Sequence, residues 1–324
     1  MRVREASHAD SWYDGDPEVL SDELDSNLAK VPDTINDTKL PIPGARVIIA
    51  PHAGYSYSGP CAAWAYKAWD LSKAKRVFVL GPSHTYYLRG AALTKFDAYA
   101  TPFGSLTVDT ETIQKLRNTG EFDSIPISSD ISEHSLEMHL PYIWKRLSQT
   151  CGEDSDPSTW PSIVPILIGD NSGEAEKEYA KILAPYLADE ENAFVVSSDF
   201  CHWGLRFSYT KYLEDPRDMT GLKRLTQSDY KTKTPIHEGI KVLDTLSIAA
   251  IETGIHDKFV ENLEKTKNTV CGRHPIGVLM AALEGLAKEG KGDGKFKFVQ
   301  YQRSSLVEHI RDSSVSYAAA YAVV

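Results

Sequence analysis

Histidines follow three hydrophobic runs of this chain: Val47-Ile-Ile-Ala-Pro-His52, Val77-Phe-Val-Leu-Gly-Pro-Ser-His84 and Phe194-Val-Val-Ser-Ser-Asp-Phe-Cys-His202. A neutral imidazole is a metal ligand, and one that titrates near pH 7 is an acid or base. A thiol joins them in Asn268-Thr-Val-Cys271-Gly-Arg-His-Pro-Ile-Gly. Pro275 is a natural first helical residue, so Cys271 is expected just before a helix N-terminus. There the helix dipole, and Arg273 if it folds back, would favour thiolate. His52, His84 and Cys271 are therefore the candidate metal ligands. Two imidazoles and one anionic ligand leave open positions, and a thiolate in the anionic place softens the site toward Cu(I), Zn(II) or Fe(II). His202 is the candidate acid or base at the open position. Asp199, three residues earlier, would orient that imidazole or a bound water.

Each residue also has an ordinary explanation. His52 fits a surface loop, Cys271 a buried inert thiol, and His202 a ring packed on Trp203. Recurrence decides the matter, because the same arrangement at several strand ends is harder to dismiss than one. The segment Glu133-His-Ser-Leu-Glu-Met-His places His134 and Glu137 on one helix face. It lacks the zinc-protease pattern and reads as supporting or capping structure. A Walker loop, a Gly-x-Ser-x-Gly elbow and Cys-x-x-Cys are missing from the sequence.

The elements that position these groups follow from pattern. Short β-branched runs at 47–50, 76–80, 162–169 and 193–198 read as buried strands, and helical stretches alternate with them. That order predicts α/β architecture, with ligands gathering beyond the carboxyl ends of the strands. Asp16 and Pro17 open a helix. Further helices are expected at 59–73, at 132–147 (capped by Ser132 and interrupted near Pro141), at 236–253 and at 273–289. Residues 212–235 read as a long loop or lid, and alternation at 295–301 and 314–317 as antiparallel strands closing a mixed sheet. No linker divides the chain, so one domain over 1–324 is expected.

The bulk numbers narrow the classes. Net charge −10 without a long Lys/Arg run makes nucleic acid and anionic membrane surfaces poor partners. No apolar stretch approaches the ~20 residues of a membrane span, and the start lacks the apolar core of a secretory signal. Four cysteines in 324 residues make no disulfide framework, so a reducing, cytoplasmic setting is expected.

Several motifs together resemble the Memo (mediator of cell motility) family, nearly end to end. They are Arg4-Glu-Ala-Ser-His-Ala-Asp-Ser-Trp-Tyr, Pro-His52-Ala-Gly-Tyr, Gly-Pro-Ser-His84, Glu133-His-Ser-Leu-Glu-Met-His-Leu-Pro-Tyr, Ser-Ser-Asp199-Phe-Cys-His202-Trp-Gly, Cys271-Gly-Arg-His-Pro-Ile-Gly and Asp312-Ser-Ser-Val-Ser-Tyr. The resemblance implies a fold similar to class III extradiol dioxygenases, a mixed sheet between helical layers. It implies His52 and His84 as the histidine ligands of copper or iron, Cys271 in the place of the dioxygenase carboxylate, and His202 as the counterpart of the catalytic base. With thiolate in that place, catechol ring cleavage is not what it implies. A metal-dependent redox role is implied, and also an adaptor role in motility or invasive-growth signalling, in the cytoplasm and also the nucleus. Trp12 and Tyr57 match positions of phosphopeptide contact. Two alternatives stand beside the redox reading. In one, a vestigial site docks peptides between aromatic walls drawn from Trp12, Tyr55, Tyr57, Tyr86, Tyr87 and Trp203. In the other, a zinc site activates water for hydrolysis. Asp10 stands where the family pattern is expected to carry glycine.

Overall fold

A computed structural model describes residues 1–229 and 231–324. Its main sheet takes in nine strands among the described residues: Val47–Ala50 (β1), Arg76–Pro82 (β2), Ala91–Leu93 (β3), Phe122–Ser124 (β4), Ser162–Ile168 (β5), Asn192–Ser197 (β6), His202–Trp203 (β7), Phe296–Arg303 (β8) and Ser314–Ala322 (β9). The order across the sheet is β7-β9-β1-β6-β2-β5-β3-β4, with β8 paired to β9. The four central strands β1, β6, β2 and β5 are parallel. They are almost wholly buried and read as continuous apolar runs, which is what a doubly covered sheet requires.

Register places the chemistry. Ser197 pairs with Ala50, and Val196 with both Ile49 and Leu80. Three adjacent parallel strands therefore end at nearly one level. His52, His84 and the 198–202 segment leave from the same edge of the sheet. β9 runs antiparallel to β1, with Ala320 opposite Ile49, and pairs His202 with Val315.

Helices flank this sheet: Pro17–Ala29 (α1), Tyr55–Ala68 (α2), His134–Glu137 (α3), Leu140–Cys151 (α4), Gly173–Ala188 (α5), Ile236–Glu252 (α6), His256–Thr266 (α7) and Arg273–Lys288 (α8). Asp16 caps α1 as expected, accepting from the backbone N–H groups of Glu18 and Val19. α2 packs on β1, β8 and β9, whereas α5 and α8 pack on each other and on β6. The apolar residues of these layers form one large buried cluster.

The structure corrects several sequence expectations. The helix expected over 132–147 is broken in three. Ser132 ends the Ile127–Ser132 helix, and Glu133 caps α3 by accepting from the Ser135 N–H at 3.0 Å. Pro141 sits in the first turn of α4, where its missing N–H costs nothing, and interrupts no helix. α2 starts at Tyr55, before the expected 59. A helix not expected separately, α7, stands between α6 and α8. Residues 212–235 are no open loop throughout: Lys211–Tyr212 pairs with Lys223–Arg224. Tyr212 and Leu225 are buried in a second apolar cluster with Cys201 and Trp203. Tyr230, inside that stretch, lies outside the described residues. Asp10, expected as a departure from glycine, has φ +63°, the left-handed region that glycine tolerates best. Its carboxylate accepts from the Gly15 N–H at 3.0 Å, the local bond that lets Asp visit this region.

Candidate metal centre

His52 is buried, two residues beyond β1. Its Nδ1 is 2.6 Å from Ser197 Oγ, and that hydroxyl donates to the Ser135 carbonyl at 2.7 Å. The hydroxyl proton being committed, Ser197 must accept, so His52 carries its proton on Nδ1 and presents the Nε2 lone pair. His84 reaches the same state by another route. Its Nδ1 lies 3.0 Å from Glu133 Oε1, and its backbone N–H donates to Oε2 at 2.6 Å. Burial pushes Glu133 up, but hydrogen bonds from the His84 ring and from the His84 and Ser135 backbone outweigh it and hold the carboxylate at about 2. An ionised carboxylate only accepts, so Nδ1 of His84 donates and Nε2 is left free.

Cys271 immediately precedes Gly272, the cap of α8, as the sequence suggested. Its Sγ lies 3.2 Å from His52 Nε2. One ligand atom from each of His52, His84 and Cys271 lies within 4.8 Å of the others. Burial pushes the His52 imidazole well below its ordinary value, with His84 and His134 adding to it. Burial, then the charge of Asp199, pushes the Cys271 thiol well above its ordinary value. The expected thiolate is thus not the favoured metal-free form. Arg273 does not fold back onto the sulfur but donates from Nε to His274 Nε2 at 3.1 Å. The thiol has two acceptors in reach, His52 Nε2 at 3.2 Å and the Asp199 carbonyl at 3.5 Å. This donor set (two neutral Nε2 atoms and one sulfur, with both Nδ1 atoms tied down) fits copper, iron or zinc.

Close packing of backbone holds the sulfur there. Cys271 N–H donates to the Asp199 carbonyl at 3.3 Å, and Gly272 N–H to Ser198 Oγ at 3.0 Å. A Cβ on residue 272 would stand 2.2 Å from the Ser197 carbonyl oxygen. Gly272→Ala is therefore expected to push the Cys271 loop off the strand ends, at a cost of roughly 1–3 kcal/mol as overpacking. Chemical denaturation checks it, and an unchanged midpoint would contradict the close approach.

His202 is oriented by main chain. Its Nδ1 is 2.8 Å from the Phe200 carbonyl and 3.2 Å from that of Thr269, so Nδ1 donates and Nε2 accepts. Asp199 does not touch this ring. Its Oδ1 accepts from the His52 backbone N–H at 2.9 Å, and its Oδ2 lies 4.0 Å from His52 Nε2. Burial raises the Asp199 carboxyl, against the hydrogen bonds it accepts from the His52 and Ala53 backbone. His84, His202 and Cys271 open onto a cleft of about 810 Å³, whose walls include Arg273, His274 and Glu176.

In the Glu133–Glu137 segment Glu133 binds His84, and Glu137 binds Arg4, His8 and Tyr13. His134 stacks on His84 with centroids 4.4 Å apart, and Trp12 lies 4.5 Å from His134. Burial, with His84, brings His134 down to about 4, so it stays neutral. A second grouping of His84, Glu133 and His134 could also hold an ion. There Glu133 Oε1 is already bonded to His84 Nδ1 at 3.0 Å, and the two rings stack 10° apart. Tyr57 is 59% exposed, and Trp12 accepts at its carbonyl from the Tyr55 N–H, which brings both to the start of α2. Trp203 and Tyr55 are buried core residues and supply no pocket wall. Glu133 and Ser197, which fix both tautomers, were not singled out from sequence. The capping position of Glu133 before a short helix was the available signal.

A family model described as Memo-like protein matches residues 4–321. Protein MEMO1 of Danio rerio is 42% identical over 324 residues, covering 100% of this chain and 98% of that protein. Protein MEMO1 of Homo sapiens is 42% identical over 316 residues, covering 98% and 96%. A MEMO1 family protein of Schizosaccharomyces pombe is 42% identical over 324 residues, covering 99% of each. End-to-end coverage at this identity leaves no segment of the site outside the match, and the chain belongs to the Memo family.

Proposed function

We propose that this Memo-family protein binds copper or iron through His52, His84 and Cys271, and uses the site in redox chemistry with His202 as the acid or base. The observation that carries the reading is the pair of fixed tautomers. Both imidazoles commit Nδ1 to an acceptor; His52 Nε2 lies 3.2 Å from the Cys271 sulfur, and a ring nitrogen of His84 lies within 4.8 Å of both. When bound, the ion would supply electron transfer and Lewis acidity at the floor of the cleft. The chain supplies the rest. His202 Nε2 accepts a proton from a ligand in the cleft. Asp199 holds the His52 backbone, and the burial of His52 shields that ligand from water. A class III extradiol dioxygenase-like ancestry accounts for this layout, with Cys271 in the carboxylate position. Protein purified without chelator should carry about one redox-active ion per chain, and His52→Ala should carry far less. Equal metal content in the two, or zinc alone with ester or amide turnover, defeats the redox reading.

Proton and metal compete for the same sulfur. The raised Cys271 thiol must lose its proton on binding, so affinity is expected to fall as pH falls, by about tenfold per unit below the thiol's titration. Titrations with Co²⁺ at pH 6, 7 and 8 check the slope. A flat profile would mean that sulfur is not a ligand.

A second reading is favoured by the surface around Trp12 and the exposed Tyr57. An adaptor role in growth or motility signalling, in the cytoplasm and nucleus, would use these rings to dock a phosphopeptide or signalling protein. Pull-down of a partner lost on Trp12→Ala or Tyr57→Ala, with metal content unchanged, supports it. Retention of the same partner by both variants sinks it.

A further inference from the structure

Asp244, in the middle of α6, is fully buried, yet its hydrogen-bond partners are neutral groups. A carboxylate without a cation partner is expensive to bury, and burial indeed pushes it upward against its hydrogen bonds. Its partners show what it holds. Oδ1 accepts from the Cys201 backbone N–H at 3.1 Å and from Asn268 Nδ2 at 3.0 Å. Oδ2 accepts from the Tyr301 hydroxyl at 2.8 Å. One oxygen thus clasps both loops of the centre, and the other is anchored to β8.

The chain of bonds continues to the ligands. Asn268 Oδ1 accepts from the Thr269 N–H at 2.9 Å, fixing the turn two residues before Cys271. Thr269 Oγ1 accepts from the His202 N–H at 2.8 Å and donates to the His202 carbonyl at 3.1 Å. Thr269 also offers its own carbonyl to His202 Nδ1. The 201–202 and 268–271 loops touch each other and share Asp244 beneath them.

We propose that Asp244 is the positioning residue of the centre: through Asn268 it sets the reach of the Cys271 sulfur toward the imidazoles, and through Cys201 the placement of His202. The claim rests on the metal-binding reading for its first arm only. Second-layer residues of this kind typically change metal affinity by about 10–100-fold.

The test compares Asp244→Asn, Asn268→Ala and Tyr301→Phe with wild type, each well below its unfolding temperature. Asn268→Ala cuts the tether while leaving the carboxylate, and so serves if Asp244→Asn does not fold. Tyr301→Phe removes a bond from the same carboxylate on the side away from the ligands. In the first arm Co²⁺ is titrated in and the thiolate charge-transfer band is followed. Asp244→Asn and Asn268→Ala should lose at least tenfold in affinity with a weakened band, and Tyr301→Phe should stay within about threefold. In the second arm the metal-free proteins are alkylated with iodoacetamide, and modification of Cys271 is mapped by mass spectrometry. The first two variants should react several-fold faster than wild type. Equal loss in all three variants, or no loss in any, overturns the proposal. Absence of the band in wild type defeats the metal reading. The alkylation arm then decides the positioning claim, which falls if Asn268→Ala reacts no faster than wild type.

Discussion

Glu137→Ala is expected to destabilise the fold by roughly 3–5 kcal/mol, because it strands a buried charge. Arg4 is fully buried and donates from Nη1 to Glu137 Oε2 at 2.7 Å. The same carboxylate accepts from the His8 N–H at 2.8 Å and from the Tyr13 hydroxyl at 2.7 Å. Residues 4–13, which include Trp12, are pinned to α3 by this one side chain. The remaining bonds of Arg4 go to main-chain carbonyls, and the buried Asp130 carboxylate, 3.4 Å from Nε, offsets only part of the lost charge. Burial pushes Glu137 up from 4.5, but hydrogen bonds from His8 and the charge of Arg4 outweigh it, bringing it to about 2. A carboxylate depressed on folding stabilises above its unfolded value and loses that contribution as pH falls. Wild type should therefore weaken between about pH 4.5 and pH 2, as Glu133 also does. The gap between wild type and Glu137→Ala should shrink over the same range. Urea midpoints at pH 7 and pH 3 measure both, and equal gaps would refute the ion-pair account.

Cys271→Ser is expected to cost a comparable amount, read as metal affinity. A structural zinc site of four ligands is worth about 10–16 kcal/mol, so one ligand in a set of three carries about 3 kcal/mol or more, upward of a hundredfold. Copper(I), the softest candidate, should suffer most, since a hydroxyl offers it little. Cys271→Asp makes the sharper comparison. It should restore binding of iron(II) while leaving copper(I) weak, because two imidazoles and a carboxylate suit the harder ion. Competition titrations under anaerobic conditions read both. Copper(I) affinity unchanged in both variants would remove sulfur from the site.

The parts of this centre that were legible in sequence are those set by local period. Apolar runs ending at Ala50, Pro82 and Ser197 announce strands, and parallel order brings their ends to one edge. Cys271 was legible because Pro275 follows it as a helix-opening residue. Groups chosen by long-range hydrogen bonds were not. Glu133 meets His84 across 49 positions, and Ser197 meets Ser135 across 62. Asp244 reaches the 268 turn from the interior of a helix whose pattern marks it only as one polar residue. The expectation of a thiolate at Cys271 failed for a related reason. A helix terminus favours the anion, but burial beside Asp199 opposes it, and burial is not read from spacing. The Ser132 cap failed because Glu133 competes for the same turn and satisfies two sets of N–H groups at once.

X-ray absorption at the metal edge of the copper- or iron-loaded protein tests the central claim most directly. One sulfur at about 2.2–2.3 Å with two imidazole nitrogens near 2.0 Å is the expected first shell. A shell of nitrogen and oxygen alone, with spectra identical in Cys271→Ser, would show that the sulfur and the two rings do not share an ion.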